Sequence, residues 1–69
     1  MKQVSGKAFC RILEKKGWSL ARISKSSHHI YSKQGVPLII TVPVHANRDL
    51  KRGLLKKLMK LAGVEENEL

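Results

Sequence analysis

Apolar residues along the 69-residue chain follow a helical spacing near both ends and a strand-like alternation between them. Near the start they recur three or four positions apart, at Ala8, Phe9, Ile12 and Leu13. Ser5 is a suitable N-cap residue, and Gly17 can supply the left-handed conformation that commonly ends a helix. This pattern predicts a first helix over residues 5–16.

Three extended segments are predicted in the middle of the chain. Residues 18–23 alternate, with Trp18, Leu20 and Arg22 expected on one face of a strand. Turn-forming residues 24–27 follow, and the extended pattern resumes over residues 28–33, so residues 18–33 predict a β-hairpin. After a second predicted turn over residues 34–37, the third strand is the clearest because it is rich in β-branched residues, LIITVPV at 38–44.

Pro43 predicts either that the third strand lies at a sheet edge or that the strand ends there, because proline cannot donate to a strand ladder. Helical spacing returns from Leu50 to Ala62 and stops at Gly63. Two starts are open for this second helix, with Asp49 as its cap or with Gly53 as its true beginning. Residues 65–69 form a short acidic tail.

The predicted order of elements is α-β-β-β-α, within a single domain over residues 1–69. We therefore expect an α+β fold in which two amphipathic helices cover one face of a three-stranded antiparallel sheet. The opposite sheet face would stay open to solvent or to a partner.

Charge points to a polyanionic partner. Fourteen lysines and arginines against five acidic residues give a net charge of +9. Such a balance suits nucleic acid, an acidic protein or an anionic membrane surface. Charge alone does not choose among them.

Several function classes are disfavoured by composition. The lone Cys10 indicates a buried thiol in a reducing compartment rather than a disulfide, and no apolar run approaches the roughly 20 residues of a membrane span. The N-terminus also lacks the apolar region of a signal peptide, so we expect a cytoplasmic protein. Outside the tail only Glu14 and Asp49 are acidic, too few and too separated for a Mg²⁺ site or a carboxylate pair. No cofactor is expected.

The sequence SKSSHHIYSK places His28 and His29 side by side between Lys25 and Lys33. Imidazole exchanges protons readily near neutral pH, and RNA carries its own nucleophile, the 2′-hydroxyl. Histidine as base or acid, with cations to stabilise the charge on phosphorus, is therefore sufficient for RNA cleavage. The other interpretation is a solvated turn whose imidazoles do no chemistry.

His45 ends the sequence VPVH and is expected near His28 if the second and third strands pair. A zinc site from these histidines would lack at least one further ligand, so no metal is expected. A row of basic residues leads on from His45 and is expected to form one phosphate-binding surface, with Arg48, Lys51, Arg52, Lys56, Lys57 and Lys60. Lys25, Lys33 and His45 are expected to contact RNA as well. The alternative for each is a solvated helix face.

Four stretches together resemble the HicA-type toxins of bacterial and archaeal toxin–antitoxin pairs: LEKKGWSLARI, SSHHIY, ITVPVH and LKRGLLKKLMKLAGV. These are small mRNA-cleaving proteins with a fold like that of the double-stranded-RNA-binding domain. The resemblance covers nearly the whole chain. It implies an endoribonuclease that a HicB-type antitoxin neutralises.

The family's functional histidine follows a Gly-Ser pair, which carries the role onto His28, with His29 as the alternative. Ser26 stands where the family usually has glycine. If this position needs a positive φ, serine is disfavoured there, and the turn presenting His28 is then expected to differ from that of the family. Two other functions stay open. One is a non-catalytic RNA-binding module of the same fold, and the other is a basic adaptor for an acidic protein.

Overall fold

A computed structural model describes residues 2–69 of the chain. Its elements in chain order are α1 (Gly6–Lys15), β1 (Ser19–Ser24), β2 (His28–Lys33), β3 (Val36–Pro43), α2 (Arg52–Ala62) and a short 3₁₀ helix (Glu66–Glu68). The strands form one antiparallel sheet in the order β1-β2-β3. The predicted α+β class and the order α-β-β-β-α are confirmed.

One face of the sheet carries the core. From the strands it receives Tyr31, Ile40 and Val42, each at most 1% exposed. The helices pack onto them with Phe9 and Leu13 of α1 and with Leu55, Leu58 and Met59 of α2. Both helices therefore cover the same face, because the side chains of one strand alternate between faces and only one set is in the core.

Helix α1 begins and ends as its sequence predicts. The Ser5 hydroxyl accepts a hydrogen bond from the backbone N–H of Ala8 at 3.0 Å. At the other end Gly17 has φ 94°, and the N–H of Trp18 donates back to the carbonyl of Leu13 at 3.0 Å. This is the Schellman arrangement, which satisfies carbonyls that the helix end would otherwise leave without partners.

Helix α2 begins at Arg52, so a start at Gly53 agrees to within one residue and the Asp49 cap is wrong. Asp49 instead forms an isolated antiparallel bridge with Ser5, and the following Leu50 is buried. The backbone of Asp49 and Leu50 is therefore paired with that of Val4 and Ser5 near the N-terminus, and Asp49 is not free to cap α2.

A β-bulge changes which face Arg22 occupies. Leu20 pairs with Tyr31 and Arg22 pairs with Ile30, so Ala21 is an extra residue in β1. Leu20 consequently shares the helix-covered face with Tyr31, while Arg22 lies on the open face. The expectation that Leu20 and Arg22 share a face was wrong because simple alternation fails at a bulge.

The second turn is shorter than predicted. Lys33 pairs directly with Val36, which leaves only Gln34 and Gly35 between the strands, and Gly35 has φ 82°. β3 therefore starts at Val36 rather than at residue 38. It is an edge strand that ends at Pro43, as the proline predicted.

The acidic tail folds back onto the domain. Glu68 accepts a hydrogen bond from the backbone N–H of Glu65 at 2.7 Å and pairs with Lys16 Nζ at 2.9 Å. These two partners, the backbone bond first, hold the pKa of the Glu68 carboxyl below its usual range. Val64 is buried and Leu69 packs against the core, so the tail is part of the fold.

The turn before β2 has a positive φ at Ser26, the condition under which serine is disfavoured there. Lys25 has φ 52° and Ser26 has φ 59°, and the N–H of Ser27 donates to the carbonyl of Ser24 at 3.3 Å. A non-glycine residue in this left-handed region costs roughly 1–2 kcal/mol.

We expect Ser26→Gly to raise the free energy of unfolding by about 1 kcal/mol, because glycine adopts a positive φ without a Cβ clash. Ser27→Gly is the matched control. Since Ser27 has no positive φ, glycine there should destabilise by about 0.5–1 kcal/mol through the entropy of the unfolded chain. Urea unfolding of both variants measures the difference, and equal effects would mean that the turn stores no strain.

Candidate active site

The adjacent histidines lie on opposite faces of the sheet. His28 pairs with Ser24 and Pro43, whereas His29 pairs with Ile23 and with Val42, which is fully buried in the core. Paired residues share a face, so His29 faces the helices and His28 faces the open side. The two imidazoles therefore belong to different sites.

His28 lies on the open face beside an arginine. Its next neighbour on that face along β2 is Ile30, whose partners are Arg22 on β1 and Thr41 on β3. Diagonal neighbours of this kind have Cα atoms roughly 7–8 Å apart, within reach of an arginine side chain. Sequence reasoning missed Arg22 as a site residue, since the bulge that turns it to this face has no clear signal in the sequence.

His45 lies at the same end of the sheet as His28. The N–H of Val44 donates to the carbonyl of Ser27 at 2.8 Å, which extends the pairing of β2 and β3 by one residue. Val44 packs against the core, and His45 follows it beyond the last residue of β3. His45 is exposed and lines a pocket with Pro43, Arg48, Asp49, Leu50, Lys51 and Leu54.

The two lysines of the SKSSHHIYSK stretch are separated from each other. Lys25 is in the turn that leads into His28. Lys33 is five residues along β2, roughly 17 Å from His28 at the usual strand rise, and it belongs to the other face. Its Nζ lies 6.0 Å from the ring centroid of the buried Trp18, at the far end of the sheet. A contact of Lys33 with RNA stays a prediction.

That the basic row forms one phosphate-binding surface stays a prediction. Arg48 and Lys51 line the His45 pocket, and Arg52 and Lys56 line a second pocket with Met59 and Glu66. Arg52, Lys56 and Lys60 are four residues apart along α2, so they share one side of the helix. Lys57 and Lys60 are exposed on the outward side.

His29 opens onto a cleft between α1 and the sheet, lined also by Lys7, Cys10, Arg11, Glu14, Leu20 and Tyr31. The Tyr31 hydroxyl donates a hydrogen bond to Glu14 Oε2 at 2.7 Å. Burial, and then the hydrogen bond to Glu14, raise the pKa of Tyr31. Burial also raises the pKa of the Cys10 thiol. A thiol held in its neutral form is a poor nucleophile, so this cleft is not built for nucleophilic catalysis.

The family comparison agrees with this architecture. The family model described as "HicA toxin of bacterial toxin-antitoxin" matches residues 6–64 of the 69-residue chain. The chain belongs to the HicA toxin family. It is therefore a toxin of a toxin–antitoxin system. No curated protein sequence matches the chain closely enough to count as a relative.

Two further observations describe this HicA toxin. Within residues 2–69, no three His, Cys, Asp or Glu side chains come together in a group that could hold a metal ion. Over the same residues, neither helix is long and apolar enough to cross a membrane.

The Tyr31 hydroxyl of this HicA toxin should resist ionisation well above its ordinary pKa of 10.0. Because folding raises this pKa, the stabilisation is fully present below about pH 10 and is lost as the pH rises above it. Tyr31 is the one tyrosine of the chain, so ultraviolet absorbance of phenolate reports it alone.

Glu14→Gln tests the cause. Removing the carboxylate should lower the pKa of Tyr31 in part and leave it raised, because burial is the larger cause. Titration of the folded wild type at the ordinary value would contradict the buried hydrogen bond.

Proposed function

We propose that this HicA toxin is a metal-independent endoribonuclease that cleaves mRNA by general acid–base catalysis at His28, in the cytoplasm, and that a HicB-type antitoxin neutralises it. The observation that carries the proposal is the position of His28. It is the member of the histidine pair that lies on the uncovered face of the sheet, next to Arg22.

The chemistry needs few groups. A neutral His28 takes the proton of the RNA 2′-hydroxyl, whose oxygen then attacks the adjacent phosphorus. Arg22 on the same face and Lys25 in the preceding turn supply positive charge for the phosphorane that forms. General acid–base catalysis of this kind is worth roughly 10²–10⁴ in rate.

Substrate affinity comes from phosphate contacts in this proposal. Arg48 and Lys51 are the members of the basic row that share a pocket with His45, and in this proposal they hold the RNA there. Arg52, Lys56 and Lys57 follow along α2 and would contact a longer RNA. Lys33 would do so at the far end of β2.

The antitoxin is proposed to bind by the same electrostatics. A protein of net charge +9 is steered toward an acidic partner, and association of opposite charges is faster at low salt. A partner seated on the open sheet face would cover His28 directly. Neutralisation would then be exclusion of RNA from the base.

A non-catalytic RNA-binding module is the second candidate, because cations alone suffice for binding. The position of His28 on the uncovered sheet face beside Arg22 favours catalysis over this second candidate, because binding alone needs no histidine. A third candidate, a basic adaptor for an acidic protein, needs neither histidine nor RNA.

We expect His28→Ala to abolish growth arrest and RNA cleavage, while the variant still folds and still binds an antitoxin. His29→Ala is the matched control, since it removes the same ring from the helix-covered face and should leave cleavage close to wild type. Growth and mRNA integrity after inducible expression measure the effect in cells. Cleavage of an RNA substrate by the purified protein in excess EDTA measures the activity directly and without divalent metal.

Three outcomes would contradict the proposal. Wild-type cleavage by His28→Ala with loss in His29→Ala would assign the base to the other face of the sheet. Unchanged cleavage in both would remove the histidine mechanism. Loss of wild-type cleavage on chelation, restored by a divalent ion, would replace it with metal catalysis.

The basic row is tested by the salt dependence of RNA affinity. Reversing Arg48 and Lys51 to glutamate should flatten the log–log slope by roughly 1.4, at about 0.7 per phosphate contact with a single strand. The matched control reverses Lys7 and Lys15 on α1, with the same change in net charge. Fluorescence anisotropy at several salt concentrations measures both, and equal slopes in the two variants would make the effect one of net charge alone.

A further inference from the structure

Cleavage of an RNA chain moves two protons in opposite directions. One leaves the 2′-hydroxyl that attacks phosphorus, and one must reach the 5′-oxygen that departs. His28 lies on one side of the reacting group and can take the first proton. A second proton carrier close to His28 would complete the reaction.

His45 meets the geometric requirement for that carrier. His28 pairs with Pro43, and His45 follows two residues later, just beyond the end of β3. The hydrogen bond from the Val44 N–H to the Ser27 carbonyl at 2.8 Å holds the two segments together at this point. His28 and His45 are each one residue away from this bonded pair, so their backbones lie close together at one end of the sheet.

Backbone strain marks the same end of the sheet independently. Within residues 2–69 the non-glycine residues with positive φ are Lys25 at 52°, Ser26 at 59° and Ala46 at 51°. Two precede His28 in the turn and the third directly follows His45. Residues held in costly conformations cluster at functional sites, where the surroundings fix the position of a reacting group.

The charges beside His45 suit a phosphate. Arg48 and Lys51 line the same pocket, and the N–H of Arg48 donates to the carbonyl of His45 at 2.9 Å, which closes the turn around Ala46. His29, the remaining histidine, faces the α1 cleft with Cys10 and is on the wrong side of the sheet to serve.

We infer that His45 is a second catalytic residue, which donates a proton to the leaving 5′-oxygen while His28 accepts the proton of the 2′-hydroxyl. The inference rests on the proposed ribonuclease function and extends it to a two-histidine mechanism. The 2′-oxygen bonds to phosphorus, the bond from phosphorus to the 5′-oxygen breaks, and a 2′,3′-cyclic phosphate and a 5′-hydroxyl are formed. His28 ends protonated and His45 ends neutral, so one proton is taken up and one released.

A change of leaving group distinguishes a general acid at His45 from a residue that only binds RNA. An oligonucleotide is made with one ribonucleotide at a mapped cleavage position and with sulfur in place of the leaving 5′-oxygen. A thiolate departs without protonation, so a general acid is no longer needed, whereas the base is needed as before. The matching oxygen oligonucleotide is the comparison substrate.

The His45→Ala variant should cleave the oxygen substrate about 10²–10⁴-fold more slowly than wild type, and the sulfur substrate at close to the wild-type rate. His28→Ala should be slow on both substrates, and His29→Ala should resemble wild type on both. His45→Gln, which keeps a polar side chain at this exposed position, should behave as His45→Ala. Circular dichroism confirms that each variant is folded.

Wild-type cleavage of the oxygen substrate by His45→Ala would overturn the inference and leave the ribonuclease function intact. An equal defect of His45→Ala on both substrates would overturn it as well, in favour of a binding role. If the sulfur substrate were cleaved at close to the wild-type rate by His28→Ala and not by His45→Ala, the two roles would be reversed and the assignment refuted. A wild type that cuts neither substrate would reject the proposed function itself.

Discussion

Burial of one sheet face around Tyr31 is the constraint on which the rest of the structure depends. Tyr31, Ile40 and Val42 lie under Phe9, Leu13 and Leu55, and each of these side chains is essentially inaccessible. Since side chains alternate along a strand, a slip of β2 by one residue would expose Tyr31 and exchange His28 with His29. The packing that stabilises the fold therefore also selects the histidine that faces outward.

Stability of so short a chain has to come from many small terms, because a domain of this size buries only roughly 60% of its unfolded surface. Here the helix ends are closed by Gly17 and Gly63, and the tail adds an ion pair between Lys16 and Glu68. Against this background the positive φ values of Lys25, Ser26 and Ala46 are costly. Such a cost, concentrated beside His28 and His45, is understandable if it positions the histidines.

Much of the fold could be predicted because its signals are local. The Ser5 cap, the Gly17 stop and the β-branched third strand each follow from neighbouring residues, and the sheet with one open face follows from their order. What failed depends on contacts between elements. The bulge at Ala21 arises from pairing with β2, and Asp49 does not cap α2 because it bridges to Ser5.

The candidate site was predictable to the same degree. The family resemblance and the basic setting carry the role of base to His28, but adjacency in sequence made His28 and His29 look like partners. Strand geometry separates them, and it brings His28 onto the same face as Arg22, which a bulge turns to that side. The position of His45 at the same end of the sheet was expected, because it follows from the pairing of the second and third strands. Lys33 is the opposite case. It is near the histidines in sequence, but in the structure its Nζ lies 6.0 Å from the ring centroid of Trp18.

An open sheet face has consequences for regulation as well as for chemistry. Ile39 of β3 is 58% exposed, and Arg22 lies near His28 on the open face, so the sheet offers both apolar area and positive charge. RNA would use the charge, whereas an acidic protein could use the charge and the apolar area together. A protein that buries both gains binding energy that RNA cannot match through phosphates alone, and its advantage grows as salt weakens the phosphate contacts. Under the proposed function, one surface would therefore suffice for cleavage and for its control, without any change in the toxin's conformation.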